Sequence, residues 1–377
     1  MEPVMKGRLD GPGGAGTKKR LTVIDALRGI ASCFVFLPHF CGFFSVLAQR
    51  GNPIAATMLI LGEFGHAGVD IFFVISGFVI AFTSRGRFLA WSGVPHFMLR
   101  RLARLAPPYW LSILLTLSVL YLQAVAGSGP HRAGAGFSLL AAKAPVVVAD
   151  LFYLQDLLRL DPINVVYWTL CIEVQFYLVY AMGTAFWHQR RAAKEIHVLP
   201  ATVLLLLSWL VSLLLACSGE MKAMPGTFLP YWHEFALGIL ACRLFGGSHR
   251  GTQGGKVAAV VLAIGLAGVL FEKSTGLLVA LLTFGLISFC GKKGWLYTAL
   301  DLRPLQFLGR ISYSAYLVHV PVGFIFLGLK NHFFRDSLVV DFAAFLCAVF
   351  CTLLLAEIFY QVAERPAMRL SQRFRPS

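Results

Sequence analysis

Charge is scarce in this chain. Of 377 residues only 14% are Asp, Glu, Lys or Arg, while 58% are hydrophobic and 32 are Phe. An ordinary soluble domain carries roughly 25% charged residues, so a soluble globular fold is excluded and an integral membrane protein is the class that remains. Acidic residues are scarcer still: 18 Asp and Glu stand against 33 Lys and Arg, for a formal charge of +15. In a soluble protein that imbalance would raise nucleic acid as a partner; in a membrane protein it is first a question of which loops face the cytosol. No two of the eight Cys form a CxxC pair, and all lie dispersed in apolar segments. They read as small membrane-compatible side chains, neither metal ligands nor a disulfide framework. The first 20 residues lack the apolar core and cleavage site of a signal peptide. With five basic side chains and a PGGAG run they read as a disordered cytoplasmic tail, which leaves the first span to direct insertion. There is no sequence repeat and no soluble domain.

What the chain does have is long apolar segments. Ten are candidates to cross a hydrocarbon core of about 30 Å. They lie near 22–47, 66–84, 107–126, 165–187, 199–217, 228–245, 256–271, 276–290, 310–329 and 338–362. The seventh and eighth are short and closely linked. With the N-terminus inside, the inner segments hold 24 of the 33 Lys and Arg and the outer loops eight, leaving Arg28 within the first span. The expected fold is an all-α integral membrane protein of about ten transmembrane helices with both termini cytoplasmic: a tail at 1–20, a transmembrane domain at 21–366 and a basic tail at 367–377. The outer segment 127–164 is apolar but interrupted by Lys143, Pro145 and Asp150. It suits an interfacial or re-entrant stretch.

A few polar residues break these apolar runs, and each admits a plain and a functional reading. Arg28 is a snorkelling anchor paired with Asp25 one turn earlier, or a binding group. His39, eleven residues on, lies about 16 Å deeper by helical rise. It bridges helices through hydrogen bonds, or it carries chemistry. Asp70 caps the second helix or joins Glu173, His233, Glu234 and His319 in a middle-to-outer polar layer. Such a layer is the usual place for acid–base chemistry or a proton relay. In HFMLRRLARLAPPYW, Arg100, Arg101 and Arg104 orient the loop against anionic lipid, or form an anion site in which guanidinium forks meet phosphate. Pro107 and Pro108 are expected to end any helix there.

Five stretches, DALRGIASCFVFLPH, GHAGVDIFFVISGF, FMLRRLARLAPPYW, LFYLQDL with YWTLCIEVQFYLVY, and ISYSAYLVHVP, resemble in order the motifs of the membrane acyltransferase 3 family. The resemblance runs from about Leu21 to Pro366. It implies an active centre at Arg28 and His39, an R-x-x-R-x-x-P element at Arg101, Arg104 and Pro107, a W-[ST]-L-x-x-E element at Trp168 and Glu173, and a final element at Ser312, Tyr313, Tyr316, Leu317, His319 and Pro321. Where many members have a second acid after that Glu, this chain has Val174. Some relatives add a hydrolase-like domain after the last span; none is expected here, eleven residues past Pro366.

The resemblance implies an O-acyltransferase that moves an acyl group, acetyl foremost, from cytosolic acyl-CoA to a hydroxyl of an extracytoplasmic carbohydrate or lipid-linked glycan, in a bacterial cytoplasmic membrane. Acyl-CoA enters as co-substrate. No permanently bound cofactor, metal or nucleic acid is expected, and membrane lipid is the surrounding partner. His39 would be the general base, or form an acyl-histidine, with Glu173 or Asp70 holding its tautomer. Arg28, Arg100, Arg101 and Arg104 would receive the donor's phosphates. Trp168, Tyr313, Tyr316 and His319 would contact substrate. The rival readings are a proton-coupled transporter or flippase, which suits buried His and Glu, and a non-catalytic scaffold.

Overall fold

A computed structural model describes residues 20–84, 89–127, 132–192, 201–218, 226–246, 252–272 and 274–374. The N-terminal tail, Arg20 apart, lies outside them. Among the described residues every regular element is helical. The helices are α1 Thr22–Cys41, α2 Ser45–Gln49, α3 Pro53–Glu63, α4 Ala67–Thr83, α5 Val94–Gly127, α6 Arg132–Leu151, α7 Trp168–Ala192, α8 Ala201–Cys217, α9 Trp232–Gly246, α10 Thr252–Glu272, α11 Thr275–Lys293, α12 Arg303–Phe333, α13 Leu338–Phe359 and α14 Arg365–Gln372. All ten expected segments are therefore helical. Among the described residues seven helical stretches are long and apolar enough to cross a membrane: Thr22–Gln49, Pro53–Thr83, Trp91–Val125, Trp168–Arg190, Thr275–Lys293, Arg303–Phe333 and Leu338–Gln372. Two apolar helices, Thr202–Cys217 and Gly255–Phe271, are shorter.

The helix ends follow local chemistry. Asn52 starts α3 by accepting from the Ile54 and Ala55 amides at 3.1 and 3.0 Å, with Pro53 next in the first turn. Ser274 and Ser337 cap α11 and α13 in the same way. Gly294, at φ +76°, closes α11 in the left-handed conformation.

Two segments differ from expectation. Pro107 and Pro108 do not end a helix: α5 runs unbroken through them and takes the arginine cluster with it. Proline removes local hydrogen bonds, but α5 is flanked by α6, α7, α12 and α14, and tertiary packing outweighs the loss. The stretch joining the first two expected spans is itself helical, so α3 and α4 make one long element folded against α1. Segment 132–151 forms α6, continuous through Pro145 and packed on α5.

Small residues let the central helices meet backbone to backbone, the usual means of packing where lipid provides no hydrophobic drive. A methyl group on Gly29 of α1 would lie 2.9 Å from Gly309 N and Leu305 O of α12. Gly77 of α4 and Gly238 of α9 make the second such crossing. Two apolar cores result. One gathers α4, α9 and α11; the other gathers the far half of α1 with α5, α12 and the loop before α7. Val69, Phe72 and Tyr313 touch both cores. At that seam the packing opens.

Candidate active site

The opening is a chamber of about 100 Å³ between α1, α4, α5, α7 and α12. Three guanidiniums from two separate motifs line it: Arg28 from α1, and Arg101 and Arg104, one helical turn apart, from α5. The apolar lining includes Val69, Phe72, Phe73 and Leu170, and the polar groups include Ser76, Thr169, Glu173, Tyr177, Ser312, Tyr313 and Tyr316. Arg101 is held on three sides: it donates to Thr83 Oγ1 at 2.9 Å and lies 5.5 and 5.2 Å from the Phe97 and Tyr177 ring centres. Arg28 and Arg104 make no hydrogen bond or close ion pair among the described residues. The charges facing Arg28 are Arg104, Glu364, Asp25 and Glu173. Asp25, the expected partner of Arg28, instead pairs with Arg20 at 2.9 Å. Arg100 does not line the chamber; it lies on another face of α5 from its neighbour Arg101.

Glu173 is in the chamber wall, where its Oε1 accepts from Ser76 at 2.9 Å and from the Tyr177 hydroxyl. Tyr313 donates to the Leu105 carbonyl at 2.9 Å, and Tyr316 to the Val166 carbonyl at 2.6 Å while also meeting the Thr169 hydroxyl. Trp168 stands outside the chamber, against Phe73 and Tyr231 at 6.2 and 5.2 Å between ring centres.

The histidines sit one layer beyond the Tyr316 wall. Tyr316 and His319 have ring centres 5.8 Å apart, and His319 and His39 5.0 Å. His319 is wholly buried, so it cannot touch a substrate in this state. His39 is partly open, with exposed His66 near it. Neither expected acid reaches it. Glu173 is committed to Ser76 and Tyr177. Asp70 turns about 100° away from chamber-lining Val69, faces Glu234 and rests against Gly276 of α11. Glu234 in turn lies 3.8 Å from His233. That acid cluster belongs to the α4–α9–α11 side, away from the chamber.

Residues 21–360 match the profile of a family described as an acyltransferase domain. The chain belongs to that family. Its curated relatives include the acyltransferase MdmB of Streptomyces mycarofaciens, 25% identical over 95% of this chain and 94% of the relative. The exopolysaccharide production protein ExoZ of Rhizobium meliloti (strain 1021) is 30% identical, covering 68% of this chain and 75% of the relative. Nodulation protein 10 of Rhizobium leguminosarum bv. viciae is 25% identical, covering 61% and 62%. No solved structure matches.

The acyltransferase also places residues at the site that the motifs did not single out. Glu364 is buried and accepts from the Ser314 amide and hydroxyl at 3.2 and 2.7 Å, facing Arg28 and Arg104. It closes a single π-helical turn, Tyr360–Glu364, inserted between α13 and α14. Such turns are frequent at functional sites. Ser76, directly before the Gly77 crossing, and Tyr177, one turn after Glu173, lie inside the motif stretches but carried no role of their own there. Above the chamber, the loop between α6 and α7 turns through two left-handed residues, Tyr153 at φ 59° and Arg159 at φ 54°. Burial there pushes the Asp156 carboxyl up from its ordinary range.

Proposed function

We propose that this acyltransferase moves an acyl group, acetyl foremost, from cytosolic acyl-CoA to a hydroxyl of an extracytoplasmic carbohydrate or lipid-linked glycan, in a bacterial cytoplasmic membrane. The observation that carries the reading is the pair Arg28 and Arg104: two enclosed guanidiniums without a close counter-ion among the described residues, beside a third. The three guanidiniums outnumber the carboxylates Glu173 and Glu364 that face them, and such an excess of positive charge inside an apolar shell favours an anionic ligand. Phosphate groups suit the guanidinium fork. The name of the exopolysaccharide production relative supports a carbohydrate acceptor.

In this reading the donor's phosphates rest against Arg28, Arg101 and Arg104, and the pantetheine arm passes the Phe72–Tyr316 level toward His39. His39 takes the acceptor's hydroxyl proton as the oxygen attacks the thioester carbon. The carbon–sulfur bond then breaks and the proton passes from the imidazolium to the thiolate. General-base help of this kind is worth roughly 10²–10⁴ in rate. Purified protein supplied with [¹⁴C]acetyl-CoA and the glycan fraction of the producing cell should yield labelled glycan. A transporter or scaffold would yield none.

A further inference from the structure

We infer that His319 is the positioning partner of His39, a neutral imidazole occupying the place that acyl-transfer sites often give to a carboxylate. The inference rests on the reading of His39 as the base. His319 Nδ1 donates to the Tyr316 carbonyl at 2.7 Å, with the Ala315 carbonyl at 3.3 Å. A backbone carbonyl can only accept, so the proton is on Nδ1 and Nε2 carries the lone pair. That Nε2 is buried and has no hydrogen-bond partner in this state. An unmet buried acceptor is costly and calls for a donor.

Four rings surround it: His39 at 5.0 Å between centres, Phe36 at 5.1 Å, Tyr316 at 5.8 Å and Phe40 at 6.3 Å. The phenyl rings have no donor. The Tyr316 hydroxyl is engaged by Val166 and Thr169. Of the four, His39 alone has an N–H to offer. Donating it to His319 Nε2 fixes the tautomer of His39 and leaves its other nitrogen unprotonated, facing the acceptor hydroxyl. The same bond holds the ring when His39 becomes the imidazolium. His319 itself gains and loses no proton, so the transfer balances through His39 alone. The arrangement also accounts for the distance of Glu173 and Asp70 from His39: no acid is needed there.

The test uses the full chain in nanodiscs with [¹⁴C]acetyl-CoA and the cell's glycan fraction, and reads kcat and KM separately. His319→Leu should lower kcat about 100-fold while donor KM stays within about threefold, because the lost interaction orients the base and does not bind donor. His319→Gln places an acceptor oxygen near the Nε2 position and should recover about tenfold of that loss. A second reading is independent of turnover: carbethoxylation of His39 by diethyl pyrocarbonate, followed by peptide mass spectrometry, should slow in His319→Leu and recover in His319→Gln. If the Leu variant does not accumulate, His319→Asn replaces it, keeping a donor toward the Tyr316 carbonyl and no acceptor at Nε2. Unchanged kcat in the Leu or Asn variant, or no recovery with Gln, would overturn the pairing. His39→Ala separates the two levels: activity surviving in it refutes the base itself, whereas its loss beside an unaffected His319→Leu refutes only the partner.

Discussion

Glu173 shares a chamber with three guanidiniums and touches neither histidine, which changes what its substitution should do. A carboxylate among cations that bind an anionic donor weakens that binding by its own charge. Gln in its place keeps an oxygen to accept from Ser76 and Tyr177, so the wall stays in position and the chamber becomes one unit more positive. Glu173→Gln should therefore lower the KM for acetyl-CoA a few-fold, and the gain should shrink in high salt. Glu173→Ala leaves Tyr177, and through it Arg101, without an anchor, and should raise the KM instead. Steady-state kinetics at two salt concentrations checks both. A large loss of kcat at constant KM in the Gln variant would place the carboxylate in the chemistry after all. Arg101→Ala and Arg104→Ala should each raise the KM for acetyl-CoA about tenfold, with little effect on a thioester that lacks the nucleotide. Arg100→Ala, off the chamber, should affect neither donor. Equal defects with both donors would mean that the two chamber arginines serve only to anchor α5.

At the scale of elements, the buried pair at the far end of α12 is the clearest test of packing. Lys330 Nζ lies 2.7 Å from buried Asp341 of α13 and 2.8 Å from the Phe43 carbonyl, with the partly exposed Asp336 farther off at 3.6 Å. Lys330→Met strands the Asp341 carboxylate and should cost about 3–5 kcal/mol, whereas Lys330→Met with Asp341→Leu should recover most of it. Thermal unfolding in detergent measures both; a double variant no better than the single would show that the pair is not coupled. These helices were legible from the sequence because apolar runs long enough to span a bilayer have few other structures available. Their boundaries were less so. Pro107–Pro108 reads locally as a stop, yet α6, α7, α12 and α14 hold α5 straight through it. The arginines and Tyr313 could be named from their motifs. Glu364 could not, because helical spacing assumes 3.6 residues per turn and the Tyr360–Glu364 turn departs from that period. The pairing of Asp70 with Glu234, in place of His39, depended on helix rotation, which a sequence with apolar residues all around α4 does not specify.

For the whole molecule, the arrangement has a direction. If the basic segments face the cytosol, as their charge predicts, the Arg28 end of α1 lies on that side, and His39 lies about 16 Å farther along the same helix. The chamber at the seam of the two cores joins these levels, with Tyr316 and Phe72 between them and the Tyr153–Arg159 turns above. In the proposed reading a donor as highly charged as acyl-CoA cannot cross the apolar core, so its phosphates would remain on the arginine side while its thioester reached inward and the acceptor came from the opposite face. Sidedness of labelling in sealed membrane vesicles tests this most directly. Inside-out vesicles given external [¹⁴C]acetyl-CoA should label glycan enclosed in the lumen, and intact right-side-out vesicles should label nothing until they are permeabilised. Equal use of external donor by intact right-side-out vesicles, or label on a glycan facing the cytosol, would contradict transfer across the membrane.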